Sequence, residues 1–133
     1  MKPLAVLSVL ALCSLPAFAN PKLVEGTHSM SELRAHKFAW EDKAVLINVS
    51  PPITGKGFSI EQVSPTEYKV FIAELENSPG DDVYFSAEGL RKSGIDKKKE
   101  GALSFYVLVG PGKLTALGIK MRRDASGKAL FSW

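Results

Sequence analysis

Few residues of this 133-residue chain have the types and spacing that catalysis or metal binding requires. His28 and His36 are the only histidines, and a zinc site normally takes three or four ligands. Asp81 and Asp82 are neighbours in a predicted turn and lack the spaced oxygen ligands of a calcium loop. No Gly-x-Ser-x-Gly elbow is present, and the single cysteine, Cys13, lies in a segment expected to be removed. The sequence therefore predicts no catalytic residue, no metal and no cofactor.

Aromatic and basic residues indicate a binding surface instead. Tyr84 and Tyr106 each alternate with apolar residues in a predicted strand, so both are expected to project from the sheet face opposite the core. Exposed tyrosines on a sheet can stack against bases or sugars. Lys120 and Arg122 are predicted to project together from one strand, where they can hold an anionic group. These four residues form the predicted ligand-binding site.

The same residues also have purely structural interpretations. The two tyrosines can pack beneath an N-terminal helix, against Leu33 and Trp40, as a second small core. Basic residues near a strand end discourage pairing with other chains. The sequence leaves both alternatives open.

One helix is predicted near the N-terminus of the domain. Ser29-Met30-Ser31-Glu32 fits the capping box, in which Ser29 and Glu32 each satisfy a free backbone N–H. Leu33 and Trp40 then follow on one helical stripe, which predicts a helix running to about Glu41.

From Lys43 onward the apolar period changes from 3.6 to 2, which is typical of strands. Pro-Gly turn signals at residues 78–81 and 110–113 predict two hairpins, and the connector 89–101 is predicted to hold at most one helical turn because Gly94 disfavours more. Val45, Ile47 and Val49 alternate with Leu46, Asn48 and Ser50, and Tyr68, Val70 and Ile72 alternate with Lys69, Phe71 and Ala73. The predicted core faces are Leu103, Phe105, Val107 and Val109 in one strand and Thr115, Leu117, Ile119 and Met121 in the next, over residues 114–122.

This order of elements, with Trp40-Glu41-Asp42-Lys43-Ala44-Val45 leading into a strand that ends in Pro51-Pro52, resembles exported OB-fold domains of the tRNA-anti-like type over about residues 30–123. The resemblance implies a small Greek-key barrel of five strands. The expected class is all-β with one short N-terminal helix. An apolar stretch at residues 57–63 and a possible C-terminal strand do not fit five strands, so a β-sandwich is the alternative.

The N-terminus is expected to be an export signal. Lys2, the apolar run Leu4 to Leu15 and Ala17-Phe18-Ala19 predict cleavage after Ala19. Residues 20–28 are then a flexible lead-in, and residues 29–133 a single domain without cysteine, which favours a bacterial protein that is periplasmic or secreted. Without Lys2, 16 basic residues face 14 acidic ones, a balance that argues against nucleic acid as partner. No later stretch is apolar enough for a membrane span.

The function predicted from these features is a non-enzymatic binding or accessory domain of the bacterial envelope, in contact with an anionic envelope component or a partner protein. A second hypothesis is an inhibitor or structural partner of an envelope enzyme, with the loop Pro51 to Gly57 inserted into a cleft. The third is a small hydrolase that uses carboxylate pairs.

Overall fold

The computed structural model describes residues 21–49, 58–73, 79–95 and 102–133. Strands dominate these residues, which confirms the all-β class predicted from the sequence. The elements are β1 (Lys22–His28), α1 (Met30–His36), β2 (Lys43–Val49), β3 (Phe58–Ser64), β4 (Glu67–Ala73), β5 (Gly80–Ser86), α2 (Ala87–Ser93), β6 (Leu103–Gly110), β7 (Lys113–Gly118), β8 (Lys120–Arg123) and β9 (Ala129–Ser132).

Seven strands form one mixed sheet in the order β1-β2-β6-β7-β5-β4-β3, and β8 pairs with β9 as a separate hairpin. The β1–β2 and β5–β7 pairs are parallel, and the other pairs are antiparallel. The sheet is open, whereas the sequence predicted a barrel. The difference comes from residues 58–73, which form the antiparallel pair β3–β4 and extend the sheet beyond β5.

The first strand replaces the predicted flexible lead-in. β1 lies parallel to β2, with Leu23 opposite Ala44 and His28 opposite Ile47. Five of its seven residues are polar or glycine, and the two apolar residues, Leu23 and Val24, are adjacent, so the strand has no alternating apolar pattern. Backbone pairing with the edge of β2 therefore determines its conformation. The folded unit therefore begins earlier than residue 29.

Both helices lie on one face of the sheet. The predicted capping box of α1 is confirmed: the Ser29 hydroxyl accepts from the Glu32 N–H at 3.0 Å, and Glu32 accepts from the Ser29 N–H at 2.9 Å. α1 ends at His36, before the predicted Glu41, and residues 37–42 form turns. Neither helix among the described residues is long and apolar enough to cross a membrane.

The second helix begins at Ala87, before the connector 89–101 in which at most one helical turn was predicted, and it is longer than one turn. The Ser86 hydroxyl begins α2 by accepting from the Gly89 N–H at 2.9 Å, a hydrogen bond that satisfies a free donor of the first turn. Gly94 ends the helix in the left-handed conformation, with φ of 75°. Gly94 is thus the C-terminal cap of this helix, a position that favours glycine because it has no Cβ.

The core lies between the sheet and the two helices, and Met30, Leu33 and Leu90 complete it from the helices. The predicted core face of β6 is confirmed, and one alternating set in each of β2 and β4 also lies on the core side, but the predicted core face of β7 is wrong. Leu114 and Ala116 are buried because they pair with Val109 and Val107, and paired residues project to the same side. Thr115 and Leu117 consequently lie on the opposite face.

Candidate ligand-binding groove on the outer face of the sheet

The sheet face opposite the helices, here called the outer face, carries both predicted tyrosines. Tyr84 alternates with the buried Val83 and Phe85, and Tyr106 alternates with the buried Phe105 and Val107. Each tyrosine is half-buried. Leu33 of α1 lies in the core on the other side of the sheet, so the alternative of a second core beneath α1 is wrong.

A cross-strand row shows how the outer face changes character from one edge to the other. Register places one residue of each strand in line, from β3 to β1: Glu61, Lys69, Tyr84, Thr115, Leu108, Ala44 and Leu23. Along this row the β3 end is therefore charged, and the β1 end is apolar. A ligand with an apolar body is best accommodated near β1.

Tyr84 lies in the charged half of the outer face. Lys113 Nζ is 4.4 Å from the centre of the Tyr84 ring and 3.0 Å from Glu67 Oε2. Lys69, opposite Tyr84 on β4, is 3.4 Å from Glu61 Oε1, and this carboxylate raises the pKa of Lys69 above its ordinary value. A lysine already contacts the ring and both lysines have acidic partners, which leaves Tyr84 poorly placed to stack on a ligand.

A groove of about 440 Å³ lies in the apolar half of the outer face. It runs along the edge strand β1 and is bounded by β2, β6 and β8. Its lining residues are Leu23, Val24, Glu25, Gly26, Thr27, Leu46, Tyr106 and Arg123.

A bulge in β1 shapes one wall of this groove. The pairing of β1 with β2 shifts register between Leu23 and Thr27, and Gly26 has a φ of 86°, a conformation that L side chains rarely adopt. His28 Nε2 lies 2.8 Å from the Glu25 carbonyl oxygen and holds the bulge from the core side. The wall consequently presents backbone as well as side chains to the groove.

The opposite wall is held by the β8–β9 hairpin. The rings of Phe131 and Tyr106 are 5.2 Å apart at an interplanar angle of 57°. Arg123 Nη1 donates to the Gly127 carbonyl oxygen at 2.8 Å. In the same turn the Ser126 hydroxyl donates to Asp124, which lowers the pKa of that carboxyl. Tyr106 and Arg123 are therefore both positioned before any ligand arrives.

Lys120 and Arg122 are exposed on β8 and do not line the groove. They alternate with Met121 and Arg123, and Met121 is paired with Phe131, so they project from the other side of the hairpin. Tyr84 is two strands from Tyr106, on the order of 10 Å at the usual strand spacing. The structure thus brings none of the other three predicted residues to Tyr106.

Arg123 is the site residue that sequence reasoning missed. The pair Arg122-Arg123 is visible in the sequence, but either residue can face the sheet until the register of β8 against β9 is known. The predicted inserting loop, Pro51 to Gly57, lies outside the described residues.

Comparisons of the chain with models of known protein families, with characterised proteins and with solved structures find no match. What the groove can bind must therefore be inferred from the chemistry of its lining residues. The described ranges contain no group of three His, Cys, Asp or Glu side chains that could hold a metal. The groove offers a guanidinium, a phenol, apolar side chains and the exposed Glu25 carboxylate, a set suited to binding a partly apolar anion.

Proposed function

We propose that this protein is a non-enzymatic accessory domain, exported to the bacterial envelope, that binds an anionic group of an envelope component or partner protein in the groove beside Tyr106. One observation carries the proposal: Arg123 and Tyr106 line the same groove, together with the apolar side chains of Leu23, Val24 and Leu46. The volume falls within the range of about 300–1,000 Å³ that is usual for ligand pockets.

The side chains assign a role to each part of the ligand. The planar guanidinium of Arg123 presents paired N–H donors that match a carboxylate or a phosphate. Leu23, Leu46 and the Tyr106 ring accept an apolar or flat body. Glu25, exposed in the lining, disfavours ligands that carry negative charge along their whole length.

Binding, and not catalysis, is the proposed activity because the groove lining contains no histidine or cysteine, and its two hydroxyl groups, those of Thr27 and Tyr106, have no histidine in the lining to activate them. Glu25 is its one carboxylate, whereas general acid–base chemistry on a pair of carboxylates needs two. From the resemblance to OB-fold domains, the proposal takes only one feature, the use of a β-sheet face for ligand binding.

Two adjacent arginines allow a matched test. We would titrate the protein with poly-L-glutamate and with inorganic polyphosphate, and compare Arg123→Glu with Arg122→Glu by calorimetry at one salt concentration. The two variants carry the same charge change on neighbouring residues of β8, so general electrostatic attraction falls equally in both.

The proposal predicts that Arg123→Glu weakens binding of one polyanion by about tenfold or more, as expected for loss of a charged hydrogen bond, whereas Arg122→Glu matches the loss due to net charge alone. Because Arg123 also bonds Gly127, Leu46→Trp provides a second variant that fills the groove from β2. Equal losses in the two arginine variants, or no binding of either polyanion by the unaltered protein, would overturn the proposal.

A further inference from the structure

A second surface of the molecule exposes an aromatic side chain beside a pocket. Phe38, in the turn between α1 and β2, is 92% exposed, while the next most exposed large apolar side chain among the described residues, Val63, is 42% exposed. Burial of a phenyl ring is among the larger single contributions to protein association, so full exposure of one is costly.

The Phe38 turn is well held by the rest of the fold. The Trp40 N–H donates to the His36 carbonyl at 2.9 Å, and the Asp42 N–H donates to Val109 of β6 at 2.6 Å. The Trp40 ring also stacks on His36, with centres 4.7 Å apart and planes 17° apart. Little conformational freedom of the backbone is left to lose on binding, which favours the use of Phe38 as an anchor.

The pocket beside Phe38 has a volume of about 250 Å³. A cavity of about 150 Å³ is sufficient for benzene, so a phenyl side chain fits. Val109, Gly110, Pro111 and Gly112 of the β6–β7 turn form most of the lining, and the remaining residues are Lys37, Glu41 and Phe38 itself.

We infer that this Phe38 surface, made of Phe38 and the pocket lining, binds a second copy of the same chain across a two-fold axis. Under two-fold symmetry a protruding ring next to a pocket of suitable size is complementary to itself, since each ring enters the pocket of the other copy. Lys37 and Glu41 carry opposite charges, and Lys37 Nζ also contacts Asp81 Oδ2 of the same copy, so the lining carries no excess of positive charge that would drive two copies apart. An anionic membrane would instead be favoured by an excess of positive charge, which the lining lacks.

The Phe38 surface and the groove beside Tyr106 share no lining residue. Self-association therefore leaves the groove open and gives an assembly with two grooves. The inference stands independently of the proposed ligand.

Sedimentation velocity over a wide range of protein concentration tests this inference. Phe38→Ser removes the anchor, and Val63→Ser is the matched control because it removes an exposed apolar side chain from β3. We expect the unaltered protein and Val63→Ser to dimerise alike, and Phe38→Ser to raise the dimer dissociation constant more than tenfold, as for an aromatic hot spot.

Thermal unfolding of Phe38→Ser should match that of the unaltered protein at concentrations where both are monomeric, because the ring is exposed within one copy. A protein that stays monomeric at every concentration would overturn the inference. Dimers that form equally well without Phe38 would overturn it as well.

Discussion

The ring of Phe131 lies 5.2 Å from the ring of Tyr106, and this contact places the β8–β9 hairpin against the outer face of the sheet. Arg123 belongs to the β8–β9 hairpin and Tyr106 to the seven-stranded sheet, yet both line the groove, because the hairpin packs against the sheet next to Tyr106. The ligand site thus depends on a packing contact as well as on the residues that touch the ligand.

Phe131→Ala should weaken polyanion binding although Phe131 does not line the groove. Removing the ring frees the hairpin that positions Arg123, and the half-buried site should lose about 1–3 kcal/mol of unfolding free energy. Calorimetric titration and urea denaturation measure the two effects. Phe131→Leu, which keeps an apolar contact, should recover most of the binding. Unchanged binding by the alanine variant would show that Arg123 is placed without Phe131.

Gly89→Ala should destabilise the protein by about 1–3 kcal/mol through overpacking. A Cβ at this position would lie 2.5 Å from Cε2 of Trp133, closer than such atoms approach, so the indole must move. Trp133 also packs against Phe85 at 5.7 Å between ring centres. A matched control is Ala87→Gly on the same helix, which adds no atoms. The midpoint of urea unfolding measures the change, and so does the tryptophan emission, to which Trp40 also contributes. Unaltered values would contradict this packing.

Leu114→Ala should cost about 2–5 kcal/mol of unfolding free energy, the usual range for a buried leucine. Leu117→Ala should cost clearly less, because Leu117 is half-buried on the outer face. Both variants delete the same atoms from β7, so denaturant titration compares the two faces directly. A larger loss at Leu117 would restore the orientation predicted from the sequence.

Alternation was sufficient to predict the buried face of β6, and it agrees with those of β2 and β4, because one set of residues in each strand is wholly apolar or aromatic while the other set contains polar residues such as Asn48, Lys69 and Ser104. For β7 the sequence predicts one strand over residues 114–122, in which Thr115, Leu117, Ile119 and Met121 form the more apolar set. The strand instead ends at Gly118, and within it the outward set includes the polar residues Lys113 and Thr115. Pairing of Val109 with Leu114 across the tight turn determines the orientation, and composition carries no information about it.

The residues of the candidate groove could likewise be predicted from the sequence only in part, because their orientation depends on strand pairing. Tyr106 could be placed on the outer face from its own strand alone, but the choice between Arg122 and Arg123 depends on how β8 pairs with a strand later in the chain. β1 was missed because backbone pairing with β2, and not an apolar pattern, forms it. Relations between distant segments therefore account for most of what the sequence left open.

Acidification should weaken the start of α1. The Ser29 N–H donates to Glu32, which lowers the pKa of that carboxyl, with a smaller contribution from His28. A pKa lowered by folding stabilises the protein fully above the ordinary glutamate value, about 4.3, and this stabilisation is lost as the pH falls through the lower folded value. Glu32→Gln cannot ionise, so its stability should fall less between neutral pH and about pH 3.

Urea midpoints of Glu32→Gln and the unaltered protein at both pH values measure this difference. Asp124 has a lowered pKa as well and retains its own contribution in the variant, so the acid sensitivity should be reduced and not abolished. Identical losses in the two proteins would show that the Glu32 carboxylate does not stabilise the helix start in solution.

The most direct test of the account is a map of where a polyanion binds. ¹⁵N-labelled protein is titrated with poly-L-glutamate and, separately, with inorganic polyphosphate, and backbone amide shifts are followed by NMR. The groove account predicts that the largest shifts for one of them fall on Val24, Gly26, Leu46 and Tyr106, and that Arg123→Glu removes them while Arg122→Glu does not. Largest shifts around Tyr84 and Lys113, or at Lys120 and Arg122, would contradict it.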